Sequence, residues 1–258
     1  ATARPEVHTR FPDLWQKRAL QEIRLPPLGR GAAERLVRDA LSGTHGDDTI
    51  RSLVDRTAGN PFHLEELVRA VVSGRGADSL PDSILGMNQA RLLLLSLSTR
   101  RVLRAASVFG ETFWASGLET LTGEGVSTSE VHAGLTELVS EELLVRRTTS
   151  RISGEAEYAF RHALVRDAAY AMLTDRDRVR AHRLAGTWLE ARGMSDPAML
   201  AAHFQAGEAP ELALGLLRRA AEQALEASDL DRATSYVGRA LSCSPDGPAR
   251  SALWAIEA

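Results

Sequence analysis

The stretch Phe160–Tyr170, FRHALVRDAAY, decides the fold of the second half of this chain. Apolar residues alternate up to it, at Tyr158 and Phe160, and then recur with helical spacing from Leu164 to Ala168. A change of hydrophobic period from two to about 3.6, with no Gly or Pro between, predicts a strand that runs directly into a helix.

His162 stands at this junction, next to the N-terminus of the predicted helix. Free backbone N–H groups at a helix start favour anions, so a histidine there can help to bind one. A half-buried histidine that bonds a neighbouring carbonyl fits the same pattern. The residues alone favour this second interpretation.

Composition predicts a mainly α protein of two or three compact units. The 258 residues are 44% hydrophobic and 25% charged, as in ordinary globular proteins. Ala, Leu, Arg and Glu dominate, and these are good helix formers. The net charge of −3 provides no global field for nucleic acid or an anionic membrane. The single cysteine, Cys243, and the lack of a signal-peptide pattern favour a reducing, cytoplasmic location.

The first part of the chain, up to residue 81, contains one alternating segment and then helical patterns. Leu20–Leu25 alternates and is a candidate strand, stopped by Pro26. Helical patterns follow at 33–41, 49–58 and 62–74, and Gly59-Asn60-Pro61 forms a helix–break–helix junction. The polar segment 75–81 is a predicted linker.

The pattern in residues 82–172 predicts a winged-helix unit, in which several helices are followed by two strands, at 143–148 and 155–160. One of these helices is expected at about 113–121, and Ser127–Glu130 is a capping box before the next. Helical patterns fill 175–258, including one expected at about 197–206 and a pair at 212–227 and 230–241. Ala221, Ala233, Ala240 and Pro245 match the small-residue and proline positions of one tetratricopeptide repeat. One repeat cannot bury its own face, so further repeats are expected beyond Ala258.

No complete catalytic apparatus is visible. Lys17, the sole lysine, is not in a Gly-x-x-x-x-Gly-Lys-Ser/Thr phosphate loop, and no apolar strand ends in paired acids that could hold magnesium. His63 and Glu66 lie three apart on a predicted helix without a third metal ligand nearby. We expect both to be solvated surface residues.

Four segments in chain order resemble the second half of the nucleotide-binding module of STAND ATPases, the signal-transducing branch of AAA+ proteins. They are TAGNPFHLEELVRA (57–70), LPDSI (80–84), AASVFGETF (105–113) and FRHALVRDAAY (160–170). The chain looks most like the version in large LuxR-type transcription regulators and in proteins fused to a Ser/Thr kinase or adenylate cyclase. The resemblance implies the end of an AAA+ core at 1–28, a helical lid at 29–76, a winged helix at 82–172 and TPR-like repeats at 175–258.

The resemblance also implies three nucleotide contacts. Arg4 matches the arginine that approaches the terminal phosphate, Pro61 matches a proline that packs on adenine, and His162 matches a histidine that touches the β-phosphate of ADP. From the residues alone, Arg4 is equally a surface arginine and Pro61 is better explained as a helix-start proline. The family's Met-His-Asp motif is altered here, with Arg161 and Ala163 beside His162.

The function implied is that of an ATP/ADP-dependent signal-transduction switch. Magnesium ligands, Walker A and Walker B would lie outside this chain, which should be inactive alone. Implied partners are the nucleotide and an inducer or protein bound by the repeats, with no membrane, and with DNA only through another domain. The alternatives are a winged-helix DNA-binding regulator, for which Arg176, Arg178, Arg180 and Arg183 form the best basic cluster, and a helical-repeat scaffold.

Overall fold

A computed structural model describes Val7 and residues 22–41, 45–74, 84–243 and 247–257 of the chain. The fold is mainly α-helical with one small sheet, as the composition predicts. The chain divides into two compact units, 1–80 and 81–258, and the division falls within the predicted linker.

Three helices form the described part of the first unit: α1 (Arg30–Ala40), α2 (Asp47–Thr57) and α3 (Pro61–Val72). Asp47 and Asp48 occupy the first turn of α2, where the helix dipole favours acidic side chains. Residues on the facing sides of the helices form the core, including Val37, Leu53 and Leu67.

The prediction of a strand at Leu20–Leu25 is wrong for the described residues 22–25, which have no regular structure and are exposed. An alternating pattern forms a strand only where another strand pairs with it, and none does so within the described residues. Leu28 instead donates a backbone hydrogen bond to the Gly59 carbonyl, which fixes the approach of the chain to α1.

The second unit begins with helices that surround a sheet. Its elements up to residue 171 are α4 (Ile84–Leu92), α5 (Leu97–Phe109), β1 (Thr112–Trp114), α6 (Ala115–Thr122), a 3-10 turn (Gly123–Gly125), α7 (Thr128–Ser140), β2 (Leu144–Arg146), β3 (Glu157–Phe160) and α8 (Ala163–Ala171). The capping box predicted before α7 is confirmed: Ser127 and Glu130 bond each other's backbone N–H groups. Helix, strand, two helices and a hairpin follow one another in this order, and their assignment to a winged helix stays a prediction.

The sheet has three antiparallel strands in the order β1-β3-β2. Phe113 pairs with Tyr158, and Val145 pairs with Ala159 on the other side of β3. The expectation of a helix from residue 113 is therefore wrong at its start, because Thr112–Trp114 is a strand and the helix begins at Ala115. The pairing partner of β1 lies more than forty residues away, so local spacing could not reveal it.

Helices complete the unit: α9 (Asp175–Ala191), α10 (Pro197–Ala206), α11 (Pro210–Glu226), α12 (Leu230–Ser242) and α13 (Gly247–Glu257). The predicted helix at 197–206 is confirmed, and the predicted pair is present as α11 and α12. Ala221, Ala233 and Ala240 are buried, as close helix packing requires. Their assignment to a tetratricopeptide repeat stays a prediction.

An aromatic cluster joins α9 to the sheet. The Phe109 ring lies 6.3 Å from Trp114 and 5.7 Å from Trp188, centroid to centroid, in edge-on contacts. Trp114 and Trp188 are also in contact, at 5.7 Å. These rings, from α5, β1 and α9, are all buried and form one aromatic cluster. In the part of the chain that the structure describes, no helix is long and apolar enough to cross a bilayer.

Candidate functional site

The first candidate contact, Pro61, lies at a tightly constrained corner between α2 and α3. Ala58 and Gly59 both have positive φ, at 48° and 75°, which reverses the chain after α2. A Cβ at Gly59 would lie 2.7 Å from the Leu28 carbonyl oxygen and 2.9 Å from Pro27 Cβ. Only glycine fits here, because its left-handed backbone and the close approach of residues 27–28 both exclude a side chain.

Asn60 then starts α3 as its N-cap. Its side-chain oxygen accepts hydrogen bonds from the Phe62 and His63 N–H groups, at 3.0 and 3.2 Å. Pro61 occupies the first helical position, where it loses no hydrogen bond, and is exposed. A rigid apolar ring is therefore presented at the surface of the first unit on a backbone that is fixed on both sides.

His63 and Glu66 are buried, and the expectation that they are solvated is wrong. Each is 5% exposed on a face of α3 that also buries Leu64 and Leu67. Burial, and then the nearby Arg56 guanidinium, hold the pKa of His63 below its ordinary value. The buried Nε2 of His63 has no hydrogen-bond partner among the described residues. His63 is thus a core side chain, and its burial shows that the buried face of α3 is wider than a narrow apolar stripe.

His162 lies where the sequence predicts, between β3 and α8. Its backbone is extended, with φ −136° and ψ 135°, and it is the N-cap residue of α8. Its side chain does not cap the helix, whereas its carbonyl accepts the Val165 N–H at 3.1 Å. The residue is half-buried, and its backbone stands at the start of a nine-residue helix. This combination of a histidine and a positive helix end suits an anion.

The two neighbours of His162, Arg161 and Ala163, have distinct roles. Arg161 forms an ion pair with Glu142, at 3.3 Å, and its N–H bonds the Leu143 carbonyl at 3.0 Å. Its guanidinium therefore anchors the end of β3 to the turn after α7. Ala163 is the first helical residue of α8. Alanine has no polar side chain, so it provides no carboxylate next to His162.

The three expected contacts are only partly described. Arg4 lies outside the residues that the structure describes. Pro61 belongs to the first compact unit and His162 to the second, and the geometry of each is known within its own unit. Their convergence on one nucleotide stays a prediction.

A cluster that sequence reasoning missed connects α8, α9 and α10. Tyr170 Oη lies 2.9 Å from His182 Nε2, and His182 Nδ1 lies 3.1 Å from His203 Nδ1. The guanidinium of Arg178 stacks on the Tyr170 ring at 4.9 Å. Burial is the first cause that lowers the pKa of both histidines, to about 4 for His203. Tyr170 and His182 are 12 residues apart and belong to different helices. Such a spacing matches no known motif, so the sequence does not reveal the cluster.

The basic cluster of α9 does not form a continuous solvated face. Arg178 bonds the Tyr170 carbonyl as well as the ring, and Arg183 donates to the Gly207 and Glu208 carbonyls. Two of the four arginines therefore bind the protein itself.

In the ranges that the structure describes, no three His, Cys, Asp or Glu side chains are grouped to hold a metal ion.

No protein-family model matches the chain, and no curated protein is significantly similar to it.

Proposed function

We propose that this chain is the regulatory part of a nucleotide-dependent switch of the STAND AAA+ class. The observation that carries the proposal is His162, a half-buried histidine at the N-terminus of α8, directly after the last strand of a three-stranded sheet. Pro61 adds a second support, because its exposed ring starts α3 from a rigid corner.

In this proposal, ADP is held mainly by a phosphate loop on a core domain outside this chain. Pro61 would pack on adenine, His162 and the α8 N-terminus would contact the β-phosphate, and Arg4 would approach the terminal phosphate of ATP. Magnesium would bind to the core domain. The chain would work in the cytoplasm and would respond to an inducer or a protein on its helical repeats.

A charge-assisted contact between His162 and phosphate would contribute about 1.5–3 kcal/mol. Such a contact, present only in the ADP-bound closed state, would shift a closed–open equilibrium by at least about tenfold. Loss of the contact on exchange to ATP would free the winged helix. The output domain would then be a transcription regulator, a kinase or a cyclase.

The test is ADP affinity in the parent protein that includes a phosphate loop, measured by calorimetry. We expect His162→Ala to weaken ADP binding by about tenfold or more and to affect ATP less, because the histidine faces the β-phosphate only in the closed state. His132→Ala, on an exposed residue of α7, is the matched control. Equal ADP affinity in the parent and His162→Ala proteins would overturn the proposal.

The isolated 258-residue chain should bind ADP no better than weakly, because Lys17 is its only lysine and lies outside any phosphate-loop motif. Micromolar binding by the chain alone would contradict this part of the proposal.

DNA binding is less well supported. In a winged helix that reads DNA, the second helix of the helix–turn–helix pair enters the major groove, and α7 holds that place in the chain. Its sequence contains Glu130 and Glu137 and no arginine or lysine. A salt-dependent shift of random duplex DNA by the chain would restore the DNA-binding alternative.

A further inference from the structure

A cleft of about 750 Å³ lies between α5, α6 and α9 in the second unit. Its basic lining consists of Arg101 and Arg104 from α5 and Arg180 from α9. Arg101 and Arg104 are three residues apart, so they share one face of α5, and Arg180 lines the cleft from α9. We call this feature the arginine cleft.

Two of the three guanidiniums have unused hydrogen-bonding capacity. Arg101 donates to the Gly125 carbonyl at 2.9 Å. Arg104 and Arg180, by contrast, form no ion pair and no side-chain hydrogen bond within the described residues. The Nε of Arg104 is fully buried and has no partner in that same part of the chain. Because that nitrogen is out of reach of solvent, the terminal nitrogens of Arg104 and Arg180 are the donors that a ligand oxygen in the cleft can accept from.

The remaining lining completes an amphiphilic site. Ala105 and Leu173 are buried beneath the cleft, and Leu184 is half-buried on its α9 side. Glu124 and Asp177 also line it, so the five charged side chains carry a net charge of +1 (three arginines minus two carboxylates). Guanidiniums bind phosphate oxygens, and carboxylates accept hydrogen bonds from hydroxyl groups.

We propose that the arginine cleft binds a small phosphate monoester that carries hydroxyl groups. The phosphate would bond Arg104 and Arg180, and the hydroxyls would donate to Glu124 or Asp177. The volume is within the range of small-molecule sites, and a concave wall with unpaired cations concentrates anions.

A second cavity, beside Trp114, is less suited to an anion. One of its two arginines, Arg151, already bonds Thr112 and the buried Glu157. The arginine cleft includes neither Pro61 nor His162, so phosphate binding in the cleft does not depend on the proposed nucleotide switch.

The probes are inorganic phosphate and glucose 6-phosphate, with free glucose as the control that lacks the phosphate. Binding to the 258-residue chain is measured by calorimetry at pH 7.5 and constant ionic strength. We expect both phosphates to bind, glucose 6-phosphate more tightly, and glucose to give no heat. The proposal would be overturned if inorganic phosphate did not bind. It would also be overturned if citrate bound as tightly as glucose 6-phosphate, because the cleft would then not distinguish a phosphate from carboxylates.

Variants decide whether the binding occurs in the cleft. Arg104→Gln and Arg180→Gln should each weaken phosphate binding by about tenfold, because each removes a charge-assisted contact. Arg219→Gln removes an exposed charge on α11 and should leave the affinity unchanged. Melting curves in chloride show whether Arg104→Gln still folds, and Arg180, which is exposed, provides a variant with little structural risk.

Equal loss in all three variants would indicate non-specific charge and would overturn the assignment. The same holds if duplex DNA binds through Arg104 and Arg180 while glucose 6-phosphate does not, because the ligand would then be a nucleic acid.

Discussion

His182 Nδ1 lies 3.1 Å from His203 Nδ1 across the contact between α9 and α10. One ring must donate and the other accept, so the pair is compatible with two neutral imidazoles and not with two imidazolium ions. Tyr170 Oη occupies the other side of His182, and the Arg178 guanidinium further opposes a positive charge there. Phe109 closes the apolar side of His203, at 6.4 Å between ring centroids.

This arrangement predicts a loss of stability in mild acid. The folded-state pKa of His203, about 4, lies below the value of about 6.5 in an unfolded chain, so the unfolded state binds the proton first as pH falls. The contribution of neutral His203 to the stability of the fold is complete above about pH 6.5 and declines as the pH falls towards 4. For His203 alone, the free energy of unfolding should fall by about 2 kcal/mol between pH 7.5 and pH 5.

Urea unfolding at the two pH values measures this difference, with tryptophan fluorescence as the signal. His203→Gln removes the titrating group and should flatten the dependence by a similar amount. His132→Gln, on the exposed side of α7, should keep the parental dependence. An unchanged slope in His203→Gln would show that other groups cause the acid sensitivity.

Gly59→Ala should destabilise the first unit by more than about 2 kcal/mol. The cost combines a positive φ of 75° with a Cβ that would lie 2.7 Å from the Leu28 carbonyl oxygen. Gly74→Ala is a matched control, because its φ is 81° but nothing lies within 4 Å of the added Cβ. It should cost only about 1 kcal/mol. Hydrogen exchange of the α2 and α3 amides measures both, and equal effects would exclude the clash as the cause.

Asn60→Ala should cost about 1 kcal/mol of unfolding free energy, since the Phe62 and His63 N–H groups lose their acceptor. Asn60→Asp keeps an acceptor oxygen at the N-cap and should retain most of the stability. Circular dichroism during urea unfolding distinguishes the two variants. If both lose the same stability, the amide has a role other than capping.

Phe109→Ala should cost about 3–5 kcal/mol, because the ring contacts Trp114, Trp188 and His203 at once. Phe109→Leu keeps much of the apolar volume and should cost less. Leu230→Ala, at a residue that is 65% exposed, should change stability by under about 0.5 kcal/mol. Tryptophan fluorescence during denaturant unfolding measures the change in stability, and a small effect of Phe109→Ala would show that the site can collapse around the gap.

Local signals were predictable from the sequence. Ser127 and Glu130 form the expected capping box, and the helix after Asp196 starts at Pro197 as expected. The change of period at Phe160 correctly predicted a strand followed by a helix, with His162 between them. These features depend on a few consecutive residues, so they can be read from short segments.

Features that depend on distant residues could not be read in the same way. Thr112–Trp114 is a strand only because β3 pairs with it, and the burial of His63 depends on what covers that face of α3. The contact of His182 with His203 needs the packing of α9 on α10. For the expected nucleotide contacts, the local settings of Pro61 and His162 are known, whereas Arg4 lies outside the described residues.

The aromatic contact between Phe109 and Trp188 limits where this chain can be joined to another in a chimeric protein. Consider a chimera whose sequence changes from one parent to the other near residue 172, at the end of the predicted winged helix. Trp188 would then come from a different parent than Phe109 and Trp114, and the fit between the three rings would be lost. Helix α9 must therefore be exchanged together with the sheet on which it packs. Chimeras that graft a foreign helical segment should keep α10 with α9 as well, because His203 of α10 contacts both Phe109 and His182.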